Sequence, residues 1–331
     1  MSDRKPARYF RPTASGKIEC LLCPTACKLA EGKTGICFGR RNIGGTLYAV
    51  NYGQTVSVAV DPIEKKPLYH FYPSSAILST GPNGCNLRCQ NCQNWNISQE
   101  QQPTRFIPPK ALIQMALDAG SIGIAYTYTE PLIWWEYIYD TATLSREHGL
   151  KTVLVSNGQI NEEPWRELVG LVDAINIDVK SMNADFYRTI CKGSLEHTLR
   201  TAEIAAENNV AMEITNLVIT NRNDSDADFQ RLVDWIAAID SRIPLHFSRY
   251  FPHHQMHEPA TPTETLKRAY EIAKRKLSYV YLGNIDIEGT SDTHCPECDH
   301  LLVKRSHYRT VVDGIADGKC TNCGREVNIR L

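Results

Sequence analysis

The chain of 331 residues carries a formal net charge of -1, with 42% hydrophobic and 22% charged residues. These are the proportions of an ordinary globular protein, long enough for one large catalytic domain with small satellites. They exclude the broad basic field that drives sequence-independent binding to nucleic acid, and no run approaches the roughly eighteen apolar residues of a membrane span.

The polar start Met1 to Arg8 lacks the apolar core of a secretory signal, so a reducing cytoplasm is the expected compartment. Twelve cysteines in that setting point to metals and not to disulfides. The first group, Cys20, Cys23, Cys27 and Cys37, has spacings of two, three and nine residues, which suit either zinc or an iron-sulfur cluster. A β-like stretch follows at Leu47 to Val50 and Val56 to Val60, then the run Asp61 to His70, whose Lys66, Tyr69 and His70 either border a cleft or cover it. Residues 1–75 are read as a small cysteine-rich amino-terminal module.

From residue 76 to 286, apolar β-rich runs alternate with helical ones. Strands are predicted at Ala76 to Thr80, Ile122 to Tyr126, Thr152 to Val155, Ala174 to Ile177, Met212 to Ile219 and Leu245 to Phe247. Helices are predicted between them, among them Pro109 to Ala119, and Pro131 to His148 closed by Gly149. Strand then helix, repeated six times, predicts a parallel β/α core with its chemistry at the strand C-terminal ends, wound either as an open sheet or as a barrel.

Cys85, Cys89 and Cys92 follow the first strand through Gly81-Pro82-Asn83-Gly84, which places three thiols in a loop above that strand's end. Three thiolates can hold three corners of a cubane cluster and leave one iron open to a cofactor or substrate. The competing reading is a closed zinc site completed by a histidine. Further polar residues end the other strands: Glu130 before Pro131, Ser156 and Asn157 after the third strand, and Lys180 after the fourth, while His246 lies in the sixth. Taken singly, each has a bland reading, as a helix cap, a solvated lysine or a satisfied buried histidine. Cys191 reads as a packed small residue.

Residues 287–331 hold Cys295-Pro-Glu-Cys298 and Cys320-Thr-Asn-Cys323, two knuckles separated by twenty-one residues. This pattern predicts a four-thiolate structural site of the zinc-ribbon kind, or a rubredoxin-like iron site, whose metal supplies the folding free energy that so short a tail lacks.

The run Cys85-Asn-Leu-Arg-Cys89-Gln-Asn-Cys92 resembles the signature loop of the radical S-adenosylmethionine (SAM) superfamily. That resemblance implies a partial (β/α)6 barrel, TIM-like and open along one side. It also implies a [4Fe-4S] cluster on those three thiols, whose open iron chelates SAM, and reductive cleavage to a 5'-deoxyadenosyl radical. Tyr126 to Pro131 resembles the superfamily's Gly-Gly-Glu segment, with Thr129 in place of the second glycine, so Glu130 is implied as a SAM contact. Ser156, Asn157, Lys180 and His246 resemble positions that flank SAM in pyruvate formate-lyase activating enzymes. Here Ser156 replaces an acid of those enzymes, which argues against a cation site there.

The amino-terminal cysteines, the Asp61 to His70 run, Asn94-Trp95-Asn96-Ile97-Ser98-Gln99, Thr127 to Pro131 and the tail together resemble the radical SAM member of the AmmeMemoRadiSam system. The likeness implies Memo-like and AMMECR-like partners, besides an electron donor of the flavodoxin or ferredoxin type. Three functions compete: radical modification of a small molecule or macromolecule, installation of a glycyl radical on a partner protein, and a zinc-stabilised scaffold without catalysis.

Overall fold

The computed structural model describes residues 5–306 and 309–331, so the first four residues of the amino-terminal module and two residues of the tail lie outside the description. Its centre is a sheet of seven parallel strands: β1 (Ala76–Pro82), β2 (Gly123–Tyr126), β3 (Lys151–Ser156), β4 (Ala174–Asp178), β5 (Ala211–Val218), β6 (Leu245–Arg249) and β7 (Val280–Gly283). Spatial order follows chain order without a skip, and every neighbouring pair is parallel. Six crossover helices join them: α1 (Pro109–Asp118), α2 (Trp135–Glu147), α3 (Glu162–Val169), α4 (Leu195–Glu207), α5 (Asp226–Asp240) and α6 (Thr263–Lys274).

Consecutive right-handed β/α units curl such a sheet towards a barrel, but this one does not close. β7 is one edge, and beyond β1 the antiparallel strands Gln54–Pro62 and then Arg105–Phe106 form the other. The expected six-strand core is thus present with a seventh strand added; the four residues Val-Tyr-Leu-Gly are too short a run to announce themselves. The β strand Gln54–Pro62 also carries the amino-terminal module directly into the core sheet.

Burial explains the near-continuous apolar strands. Gly123 to Tyr126 and Ala174 to Ile177 are buried at every position, because parallel strands are covered by helices outside and by barrel side chains inside. The predicted helix from Pro131 to His148 opens as a 3-10 turn over Pro131–Trp134 and becomes α-helical only at Trp135, whereas two other helices start at clear local signals. Pro109 opens α1, which buries Leu112, Ile113 and Ala116, and Ser225 with Asp228 forms a capping box at the head of α5.

The bottom of the barrel holds a polar network. Glu213 on β5 accepts from the His70 backbone N–H at 2.7 Å and pairs with His246 Nε2 at 2.6 Å. His70 Nε2 meets Tyr281 Oη at 2.6 Å, and that hydroxyl continues to Thr293 of the tail at 2.7 Å. His246 is thus engaged in this network and does not line the cleft described below.

The tail folds as a three-stranded antiparallel sheet, Thr293–His294, Leu301–Ser306 and Arg309–Val312, followed by the hairpin Ile315–Ala316 and Lys319–Cys320. It docks on the barrel through Phe71 bridged to Arg330, and through His70 Nδ1 paired with the Asn328 carbonyl at 2.6 Å. The amino-terminal module is anchored by a buried ion pair, Arg40 Nη1 to Glu136 Oε1 of α2 at 2.6 Å. Among the described residues, no helix is long and apolar enough to cross a membrane.

Candidate active site

The loop after β1 is built to present thiols. Asn83 closes its base, donating to the Ile97 and Glu100 carbonyls at 2.6 and 2.8 Å while its own oxygen accepts from the Gln102 N–H at 3.0 Å. Two glycines are required by close approach. A Cβ on Gly81 would lie 2.1 Å from the Thr127 carbonyl oxygen, and one on Gly84, whose φ is +108°, would lie 2.1 Å from that of Cys37. The second approach brings the amino-terminal module against the start of the loop.

Cys85, Cys89 and Cys92 line one cleft of about 560 Å³ over the C-terminal ends of the strands. Cys85 Sγ receives the Leu87 backbone N–H at 3.3 Å and Asn157 Nδ2 at 3.5 Å; Cys92 Sγ lies 3.2 Å from Ser98 Oγ. Such donors stabilise thiolates and tune the potential of a cluster bound to them. No three of these sulfurs lie within 4.8 Å of one another, a condition that among the described residues only the tail's cysteines meet. A single tetrahedral zinc would require sulfurs about 3.8 Å apart, from its Zn–S bonds of about 2.3 Å. Three thiol donors on one cleft are the donor set of a cluster that keeps one iron open. Cys191 is fully buried behind it, and its thiol hydrogen-bonds to Cys89, holding the Cys89 pKa below the usual thiol range against the effect of burial.

Ser156, Asn157 and Lys180 line the same cleft. Burial alone would lower the Lys180 pKa, but Asp178, 3.1 Å from its Nζ, and the nearby Cys89 and Cys191 raise it well above the ordinary lysine value. Of the two sequence readings of Glu130, the structure shows the helix cap. It is wholly buried beneath the floor, where Oε1 accepts from Leu132 N–H at 2.9 Å and Ser156 Oγ at 2.8 Å, and Oε2 from Asn157 N–H at 2.8 Å. Burial pushes its pKa up to about 7 despite those donors. It caps the turn into α2 and fixes the two residues that do face the cleft.

Three side chains that the sequence left undecided or passed over also reach the cleft. Asp61 holds Lys66 at 2.7 Å and accepts from Tyr128 Oη at 3.2 Å. Although burial acts in the opposite direction, Lys66 and Lys65 hold the Asp61 carboxyl down at about 2. Lys66 thus borders the cleft, whereas Tyr69 lines a neighbouring one of about 790 Å³ between the barrel edge and the tail, and His70 is interior. The positive φ of Tyr128, +71°, turns its ring back over the site. The local signal was the run Asp61 to Lys66, whose function only the sheet pairing of Gln54–Pro62 with β1 makes visible.

The two terminal cysteine groups differ in geometry. In the tail, Cys295 Sγ is 3.6 Å from Cys323 Sγ and Cys298 Sγ is 3.7 Å from Cys320 Sγ, and all four lie within 4.8 Å of one another. That is the spacing of one tetrahedral ion. Cys20, Cys23, Cys27 and Cys37 line one small pocket, but no three of them meet that criterion.

Residues 80–236 match the radical SAM superfamily domain. Uncharacterized protein MJ0808 of Methanocaldococcus jannaschii is 40% identical over 335 residues, covering 99% of this chain and all of that one. Pyruvate formate-lyase 1-activating enzyme of Escherichia coli is 25% identical over 156 residues, 45% of this chain and 63% of its own length. A radical SAM methyltransferase from Sphaerobacter thermophilus shares the fold, with a TM-score of 0.52 at 14% identity over 85% of this chain and 77% of that one. With this central match over the three-thiol loop above β1, residues 80–236 of the chain form a radical SAM superfamily domain.

Proposed function

We propose that this protein cleaves SAM reductively at a [4Fe-4S] cluster held by Cys85, Cys89 and Cys92. When bound, the cluster supplies the electron and SAM the 5'-deoxyadenosyl radical that takes a hydrogen atom from a substrate. The observation that carries the reading is the loop itself: three thiols facing one cleft, spaced too widely for one tetrahedral ion. Asn157 and Ser156 shape the wall against Cys85, and Lys180 brings positive charge suited to a carboxylate. Glu130 acts by positioning those residues, and Asp61, Lys66 and Tyr128 form the opposite wall. The tail's four thiolates hold zinc or iron in a structural role.

The substrate class we propose is a small molecule, admitted to the cleft that Asp61, Lys65 and Lys66 wall on one side. A second reading, an activase acting on a peptide loop of a partner, is favoured by the way the cleft continues past Lys65 and Asn284 into its neighbour, since an extended segment needs that length. Memo-like and AMMECR-like proteins, together with a flavodoxin or ferredoxin, are the partners that the sequence resemblance suggests.

Anaerobic reconstitution, dithionite reduction and addition of SAM test the reading by chromatography of 5'-deoxyadenosine. Formation of 5'-deoxyadenosine that requires the three thiols supports it; a fully loaded protein that never cleaves SAM, with or without cell extract as a source of substrate, overturns it. A glycyl-radical spectrum on a co-purified protein would select the activase.

A further inference from the structure

We infer that Cys20, Cys23, Cys27 and Cys37 hold a second [4Fe-4S] cluster, closed by four thiolates, that relays electrons to the cluster in the active-site loop. For its acceptor, this inference rests on the radical reading above.

The four thiols converge on one pocket, lined also by Arg40 and Asn86, and none is in a disulfide. Their sulfurs stand too far apart for the single tetrahedral ion that the tail's sulfurs fit, whereas a cubane core inserted between thiolates holds them at wider spacing. A second observation is independent of the cysteines. Arg40 is fully buried beside the pocket; Glu136 engages Nη1, while Nε and Nη2 have no partner. Buried guanidinium donors left unmet are costly, and an anionic iron-sulfur core in this pocket would satisfy them.

The placement suits a relay. Asn86, the residue after Cys85, reaches the Cys23 thiol on one side and accepts from Asn157 Nδ2 at 3.1 Å on the other, and the same Nδ2 donates to Cys85 Sγ at 3.5 Å. One side chain therefore separates the two thiol sets. The Arg88 guanidinium caps the Ile36 carbonyl, which fastens the module to the loop. On the outer side Cys27 is half-exposed and Ile36 exposed, which offers a face to a donor. In each transfer one electron leaves a low-potential donor of the flavodoxin or ferredoxin class, reduces the outer cluster, and passes to the inner one, which returns the outer cluster to its oxidised state. No atom moves.

The test uses the full chain, reconstituted anaerobically, with iron, zinc and acid-labile sulfide counted and the reduced protein examined by EPR. The wild type is expected to carry sulfide for two cubanes. The triple variant Cys85→Ala, Cys89→Ala, Cys92→Ala should lose half of it and keep one cubane EPR signal, and Cys20→Ser with Cys37→Ser should lose the other half. The latter should still cleave SAM with dithionite but drop to background with reduced flavodoxin. Wild-type protein with sulfide for one cubane, and zinc in place of the second, overturns the proposal even if the variants fail to fold. If the single cubane is lost with Cys20 and Cys37 but survives the triple variant, the radical reading fails instead.

Discussion

The tail and the active-site loop both gather cysteines, yet they are opposite kinds of site. In the tail two antiparallel knuckles face each other, so four sulfurs converge to 3.6 and 3.7 Å pairs and leave no position open. In the loop after β1 three sulfurs spread along a turn beside a cleft, with N–H and hydroxyl donors around them and one side unclosed. On the function proposed above, sulfur spacing separates a thiolate set that supports folding from one that supports chemistry, because a closed tetrahedral ion offers no coordination site to a substrate.

The sharpest way to break that contrast is to remove the loop thiols one at a time. Cys85→Ala, Cys89→Ala and Cys92→Ala are each expected to abolish 5'-deoxyadenosine formation while the tail keeps its metal, as measured by chromatography beside metal analysis. Next in size is the tie between the amino-terminal module and the barrel. Arg40→Leu leaves Glu136 buried and uncompensated, so chemical denaturation should show a loss of about 3–5 kcal/mol.

The tail's docking has its own pH signature. Burial lowers the pKa of His70 from 6.5 to about 4, with the Glu213 carboxylate opposing and Arg305 and His246 assisting. The folded protein therefore holds His70 neutral while the unfolded chain binds a proton. Its contribution is complete above pH 6.5 and is lost as pH falls from there through about 4, a decline of about 3 kcal/mol at roughly 1.4 kcal/mol per unit. Thermal denaturation across that window should flatten in His70→Gln. A smaller effect is expected at the wall of the cleft. Ser156→Ala removes a donor to buried Glu130, so it should cost about 1–3 kcal/mol in stability and raise the KM for SAM more than it lowers kcat. Smallest in its effect on chemistry is Cys320→Ser, which on the structural role proposed for the tail should release its metal and make it protease-sensitive while SAM cleavage stays within about twofold.

Much of this was legible in the chain. The C-x3-C-x2-C loop after an apolar strand, the paired knuckles of the tail and six of the seven parallel strands follow from local pattern, because thiol spacing and strand hydrophobicity are local properties. Other parts were not. His246 reads as a cofactor neighbour only through the family resemblance, whereas its partner Glu213 sits on a neighbouring strand and holds it away from the cleft lining. Glu130 has the right position and the wrong exposure, because its three donors come from residues two, twenty-six and twenty-seven positions along the chain. Asp61 and Lys66 join the site only through the antiparallel strand Gln54–Pro62 beside β1, which no β/α periodicity predicts.

The sequence by itself determined which chemistry is available: three thiols in a loop, two further four-thiol groups, and a parallel β/α core with polar residues at its strand ends. Tertiary structure decided what each group can hold. Whether four sulfurs close on one ion or stand apart around a larger core, and whether a carboxylate faces a cofactor or caps a helix, depends on distances between segments far apart in the chain. Residue spacing fixes the donors, while backbone packing fixes how far apart those donors stand.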